Sequence, residues 1–121
     1  MEKIGCICVM RDLYRAMAEL ENSLEELYSI SLNEAMVLCS IGDENVPAGT
    51  IASRTGLRSS HLSKVLRSVE DKGYINRNFG DKDKRQIYFS LTDEAMTCLG
   101  KLKKEELPVP ELLEDFFKQP E

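Results

Sequence analysis

Nine side chains between residues 54 and 85 carry positive charge: Arg54, Arg58, Lys64, Arg67, Lys72, Arg77, Lys82, Lys84 and Arg85. Only four acids interrupt them, Glu70, Asp71, Asp81 and Asp83, so the stretch holds a surplus of five cations. The whole chain has a formal net charge of −5, which leaves the remainder with a surplus of ten acids. Polyanion binding depends on the local field rather than on the molecular total, so an acidic protein can still present a cationic face. Among these cations stand Ser59, Ser60, His61 and Ser63. Short polar side chains near a helix start can approach phosphates or base edges, and the helix's own free amides point the same way. Lys64 and Arg67 follow about one helical turn apart. Farther along, Lys82, Lys84 and Arg85 surround Asp83, which can orient Arg85 through a bidentate ion pair. The chemistry these types support is non-covalent recognition of a duplex, with Arg54, Arg58, Ser59, Ser60, His61, Ser63, Lys64, Arg67, Lys82, Lys84 and Arg85 as candidate contacts.

Other chemistries find less support. There is no glycine-rich phosphate loop, and the single histidine, His61, has no nucleophile beside it in a recognisable motif, so an enzyme is not expected. The four cysteines, at 6, 8, 39 and 98, lack the two-residue gap of zinc knuckles, and neither a metal nor another cofactor is expected. Cys39 and Cys98 fall at apolar helical positions and read as small core residues. No stretch reaches the roughly 18 apolar residues of a membrane span, and the apolar start of the chain carries Glu2 and Lys3 without a cleavage signature. A cytosolic protein with no membrane partner is the expectation.

The elements that must hold the cations follow from periodicity. Met10, Leu13, Met17, Leu20, Leu24 and Leu27 recur at spacings of 3 and 4, which predicts an amphipathic helix over 9–29. Its stripe suits a dimer seam and packing within its own domain equally. Ser31-Leu32-Asn33-Glu34 has the form of a capping box before a short helix. Pro47 fits the first turn of the next helix, which Gly56 ends. A third helix starts at Ser59 or Ser60, with Leu62, Val65, Leu66 and Val69 as its buried stripe and Gly73 as its stop. Residues 74–77 and 86–91 read as two strands joined by a polar, glycine-containing hairpin loop. Thr92 caps a helix reaching about residue 106, and Pro108 and Pro110 break it before a short apolar segment over 111–118.

A short helix, a Gly-Leu turn, a longer helix and a basic hairpin, in that order, form the most specific pattern in the chain. With these elements in view the sequence resembles the MarR family of winged-helix regulators over residues 31–95. The resemblance rests on Leu32-Asn33-Glu34-Ala35, on Ile51-Ala52-Ser53-Arg54-Thr55-Gly56-Leu57 and on Val69-Glu70-Asp71-Lys72-Gly73-Tyr74-Ile75. Asp83-Lys84-Arg85 and Ser90-Leu91-Thr92 complete it. It implies an α+β, mostly α fold: a winged helix-turn-helix over 31–91, flanked by dimerisation helices over 1–30 and 92–121. It further implies a homodimer on a pseudo-palindromic site in double-stranded DNA, acting as a transcriptional regulator of the repressor type. Release by a small-molecule effector, or by an oxidant at Cys6 or Cys8, also comes with the resemblance. Three departures stand out. After Thr92 the chain is short and broken by Pro108 and Pro110, where the family continues with long helices that make the dimer, so dimerisation is expected to lean on residues 4–29 and 107–118. Arg58 occupies a position where the family places a small helix cap, and Ala95 stands near the site of a usual glycine. The rival reading is a winged-helix module that binds protein instead; such modules lose cations that this chain keeps at Lys64, Arg67, Lys82, Lys84 and Arg85.

Overall fold

The computed structural model describes residues 2–80, 85–103 and 108–117. The chain falls into two compact units, residues 1–31 with 105–121, and residues 32–104. No described helix is long and apolar enough to cross a membrane.

The first unit is built on α1 (Glu2–Tyr28), which extends farther toward the N-terminus than the leucine stripe predicts. Ala16 and Leu20 are buried against Leu113 of a 3-10 turn (Glu111–Leu113), with Leu13 and Val109 at the margin, and α6 (Glu114–Phe117) follows. The predicted stripe divides: Leu20 and Leu24 are buried, whereas Met10 and Leu27 are exposed. A strict 3.5-residue repeat drifts around a straight helix by about 20° per heptad, so one neighbour cannot cover its whole length. Ile7, Met10, Tyr14 and Met17, again spaced 3 and 4 apart, leave an apolar strip in solvent, Tyr14 being 78% exposed.

The second unit runs α2 (Leu32–Ile41), β1 (Val46–Pro47), α3 (Ala48–Thr55), α4 (Ser59–Asp71), β2 (Ile75–Phe79), β3 (Ile87–Leu91) and α5 (Asp93–Lys103). Leu62, Val65, Leu66 and Val69 of α4 are buried as their spacing requires, against Val37, Leu38 and Ile41 of α2 and Ile51 of α3. Ile75, Phe89 and Ala95 close the same core from the sheet and α5. Gly56 ends α3 at φ 79°, a left-handed conformation open to glycine, and its amide donates to the Ala52 carbonyl at 2.8 Å. The Thr55 hydroxyl then accepts from the Leu57 amide at 3.2 Å, which fixes the turn into α4. Thr92 caps α5 by accepting from the Ala95 amide at 3.2 Å.

The sheet has three strands in the order β1-β3-β2, all antiparallel. Strand β1 is absent from the sequence reading because two residues give no alternation to detect. Pro47 belongs to it, facing Tyr88 with ψ at 162°, and so stands just before α3 rather than in its first turn. Strand β2 also extends through Asn78 and Phe79, which the sequence assigns to the hairpin loop. Cys39 is exposed on α2 instead of lying in the core; Cys98 is buried, and that burial pushes its thiol up from the ordinary range.

Candidate nucleic-acid interface

The outward face of α4 carries Ser59, Ser60, His61, Ser63, Lys64 and Arg67, all exposed, with the apolar stripe directly behind them. Arg58 takes the N-cap position with extended backbone (φ −70°, ψ 149°) and makes no side-chain cap bond. No hydroxyl is therefore spent on the first-turn amides, and a cation stands at the positive end of the helix dipole. That combination suits an anion. The Ser63 hydroxyl donates to the Ser59 carbonyl at 3.0 Å, leaving its oxygen as an acceptor.

One flank of α4 is held by α2. His61 Nε2 lies 3.4 Å from Asn33 Nδ2. Seven and eleven residues on, the Ser68 hydroxyl and the Lys72 ammonium both donate to the Glu34 carboxylate, the ammonium at 2.8 Å. Glu34 is only 5% exposed and is the buried charged residue of the described chain. The Ser-x-x-Glu spacing alone assigns that carboxylate to a capping box. The signal that points to these partners on α4 is helical phase: Glu34, Val37, Leu38 and Ile41 stand at i, i+3, i+4 and i+7, so the acid sits on the buried stripe of α2.

These contacts divide the nine cations. Arg54, a candidate duplex contact, forks onto Glu44 at 2.8 and 3.2 Å and donates to the Ser40 carbonyl at 2.8 Å. It acts as a strut between α3 and the loop after α2. Lys72 is held by Glu34. Arg77 reaches from β2 to Glu70 of α4 at 3.1 and 3.2 Å and lies 5.3 Å above the Phe89 ring. By contrast, Arg58, Lys64 and Arg67 form no ion pair among the described residues. Arg85 is exposed at the base of the hairpin, while Lys82, Asp83 and Lys84 lie outside the described residues.

The hairpin is tied down at its root. Asn78 of β2 donates to the side chains of Asn45 and Ser90, each at 3.1 Å. Asn45 neighbours Glu44, so residues 44–45 brace α3 on one side and the hairpin on the other. The hydrogen bond from Arg77 holds the Glu70 carboxyl below its ordinary value near 4.5, opposed by partial burial, and the same bond raises Arg77. A carboxyl depressed in the folded state adds stability above its unfolded pKa and loses it as pH falls through the folded one. The acid-side loss of stability below about pH 4.5 should therefore be smaller in Glu70→Gln than in the unmodified protein. Urea midpoints measured from pH 6 to pH 3 check this; the exposed pair is worth under about 1 kcal/mol.

The two remaining candidates sit in the other unit: on α1, Cys6 is exposed and Cys8 half-buried. Among the described residues no cluster of three His, Cys, Asp or Glu is arranged to hold a metal.

Comparison with known proteins places this arrangement among regulators. The family model for "Transcriptional regulator SarA/Rot" matches residues 19–102. An uncharacterized HTH-type transcriptional regulator of Bacillus subtilis, YdcH, is 28% identical over 107 residues, which is 88% of this chain and 68% of that protein. Among solved structures, the transcriptional regulator BldR of Sulfolobus solfataricus superposes with a TM-score of 0.69 at 22% identity, covering 95% of this chain and 91% of its own. A cysteine-to-serine mutant of Escherichia coli MarR, complexed with operator DNA, superposes with a TM-score of 0.68 at 20% identity, covering 83% and 74%. At such identities the two structures establish the fold, a MarR-type winged helix.

Proposed function

The chain belongs to the SarA/Rot family of transcriptional regulators, and from that premise we propose how it engages DNA. It is a DNA-binding regulator with α4 as the reading helix, laid in a major groove, and the β2–β3 hairpin as a wing reaching the neighbouring minor groove or backbone. The observation that carries this reading is the division of the cations. Lys64 and Arg67 on the outward face of α4, and Arg58 at its N-cap, form no ion pair among the described residues, while Arg54, Lys72 and Arg77 are engaged inside the protein. The MarR structure with operator DNA supports a duplex as the ligand of this fold. Lys82, Lys84 and Arg85, with Asp83 orienting Arg85, would supply the wing contacts.

A homodimer with the N- and C-terminal helices as its seam is the assembly this reading requires, because one reading helix covers only half of a pseudo-palindrome. The bare strip of Ile7, Met10, Tyr14 and Met17 supports it, as do exposed Leu112 and Phe116 of the same unit. Repression by occupancy fits such a dimer, with release by a small ligand or by oxidation at the surface thiol of Cys6 or at the half-buried Cys8.

Salt dependence tests the proposal. Affinity for a duplex selected from a random pool should fall steeply and linearly in log–log form as salt rises. Replacing Lys84 and Arg85 together by alanine should reduce that slope by about 2, near 0.9 for each phosphate left without its cation. A slope that does not change removes the wing from the interface, and an affinity indifferent to salt removes the duplex.

A further inference from the structure

Side chains alternate across β2, so Ile75, Arg77 and Phe79 share one face and Asn76 and Asn78 the other. The register sets Leu91, Phe89 and Ile87 opposite the first three. At its inner end this face belongs to the core: Ile75 and Phe89 are buried. In its middle, Arg77 crosses the Phe89 ring to reach Glu70, which turns the face toward α4. At its outer end Ile87 still packs on the margin of the core, but the residue opposite it does not. Phe79 is 67% exposed there, paired across the strands with half-buried Ile87.

We propose that Phe79 is a duplex contact, its ring packing on the deoxyribose of the phosphodiester strand that passes between α4 and the wing. The proposal rests on the DNA-binding reading and extends it to an uncharged residue. A helix in the major groove and a wing in the next minor groove have one backbone strand between them. The wing face that looks toward α4 is the face that meets this strand. Cations there would meet phosphate oxygens, but the sugar presents C–H edges, which a rigid apolar ring covers more fully than the thin stem of a lysine drawn toward phosphate. Arg85, two positions before Ile87 in the chain, is exposed at the same end of the hairpin. A second copy of the chain is the weaker occupant, because one phenylalanine and half of one isoleucine fall far short of the roughly 1,200 Å² that a stable protein interface buries.

The chain contains no tryptophan, so Phe79→Trp places a single reporter at the site. With a duplex selected from a random pool by the unmodified protein, the indole should be open to acrylamide quenching in the free protein and shielded when the duplex is added. Phe79→Ser should bind the same duplex roughly tenfold more weakly. Its log affinity against log salt should keep the unmodified slope, since an uncharged side chain displaces no counterion. Because the side chain is exposed, both variants should keep the unmodified urea midpoint. Equal quenching with and without the duplex, together with unaltered affinity of Phe79→Ser, overturns the contact while leaving the regulator reading intact. Shielding that grows with protein concentration before any duplex is added overturns it in favour of a surface between copies. Failure of the unmodified protein to select any duplex removes the DNA-binding reading itself.

Discussion

Replacing Lys64 and Arg67 together by alanine is expected to lower affinity for a selected duplex on the order of 100- to 1,000-fold while leaving the fold unchanged. Both side chains stand on the solvent face of α4, opposite the buried Leu62, Val65, Leu66 and Val69, so their removal opens no cavity. Neither forms an ion pair among the described residues; Arg67 only adds a minor favourable field at Glu70, which keeps its hydrogen-bonded partner Arg77. The weakening then reports what the two cations do outside the protein. Anisotropy titrations at one fixed salt concentration measure it, with urea unfolding as the control on the fold. The single replacements should each cost about 1–3 kcal/mol where the side chain reads a base. Wild-type affinity in both singles and in the double would take α4 out of the interface. Arg54→Ala makes a useful contrast: its guanidinium is already committed to Glu44 and Ser40, so its direct effect on phosphate binding should be small.

The largest effect on stability is expected at Glu34. In Glu34→Ala the Ser68 hydroxyl loses its acceptor, Lys72 loses its counter-charge, and a cavity opens between α2 and α4. Breaking a fully buried ion pair costs about 3–5 kcal/mol, but the side chain of Lys72 is 36% exposed and its ammonium can recover water. A destabilisation of about 2–4 kcal/mol follows, read as a lower urea midpoint at unchanged slope. Glu34→Gln keeps the volume and an acceptor for Ser68 while giving up the charge, and should fall between. A midpoint for Glu34→Ala equal to wild type would mean that the pair of helices is held by its apolar contacts alone.

The winged helix was legible because its signals are periodic and local. The α4 stripe, the glycine at the end of α3 and the threonine before α5 each announce a structure of one or two turns, and each is found where the residues place it. What the sequence hides is pairing across distance. Nothing local ties Val46 to Phe89, separated by 43 positions, so the third strand was invisible. The charge pattern showed a cationic lobe but not which cations are taken by acids. Glu44 and Arg54, Glu34 and Lys72, and Glu70 and Arg77 meet only through the fold. Glu34 is the instructive case. A local rule, the capping box, offered its carboxylate a satisfying partner, while the helical phase that placed it inside pointed to a partner on another helix.

The engagement of Arg54, Lys72 and Arg77 within the fold bears on how the regulator would partition between specific and arbitrary DNA. Charges spent internally give less to indiscriminate adsorption, and the acid surplus outside residues 54–85 opposes it further. Loose association with arbitrary DNA would be brief, so few molecules would be sequestered on irrelevant sites and a modest copy number could keep an operator occupied.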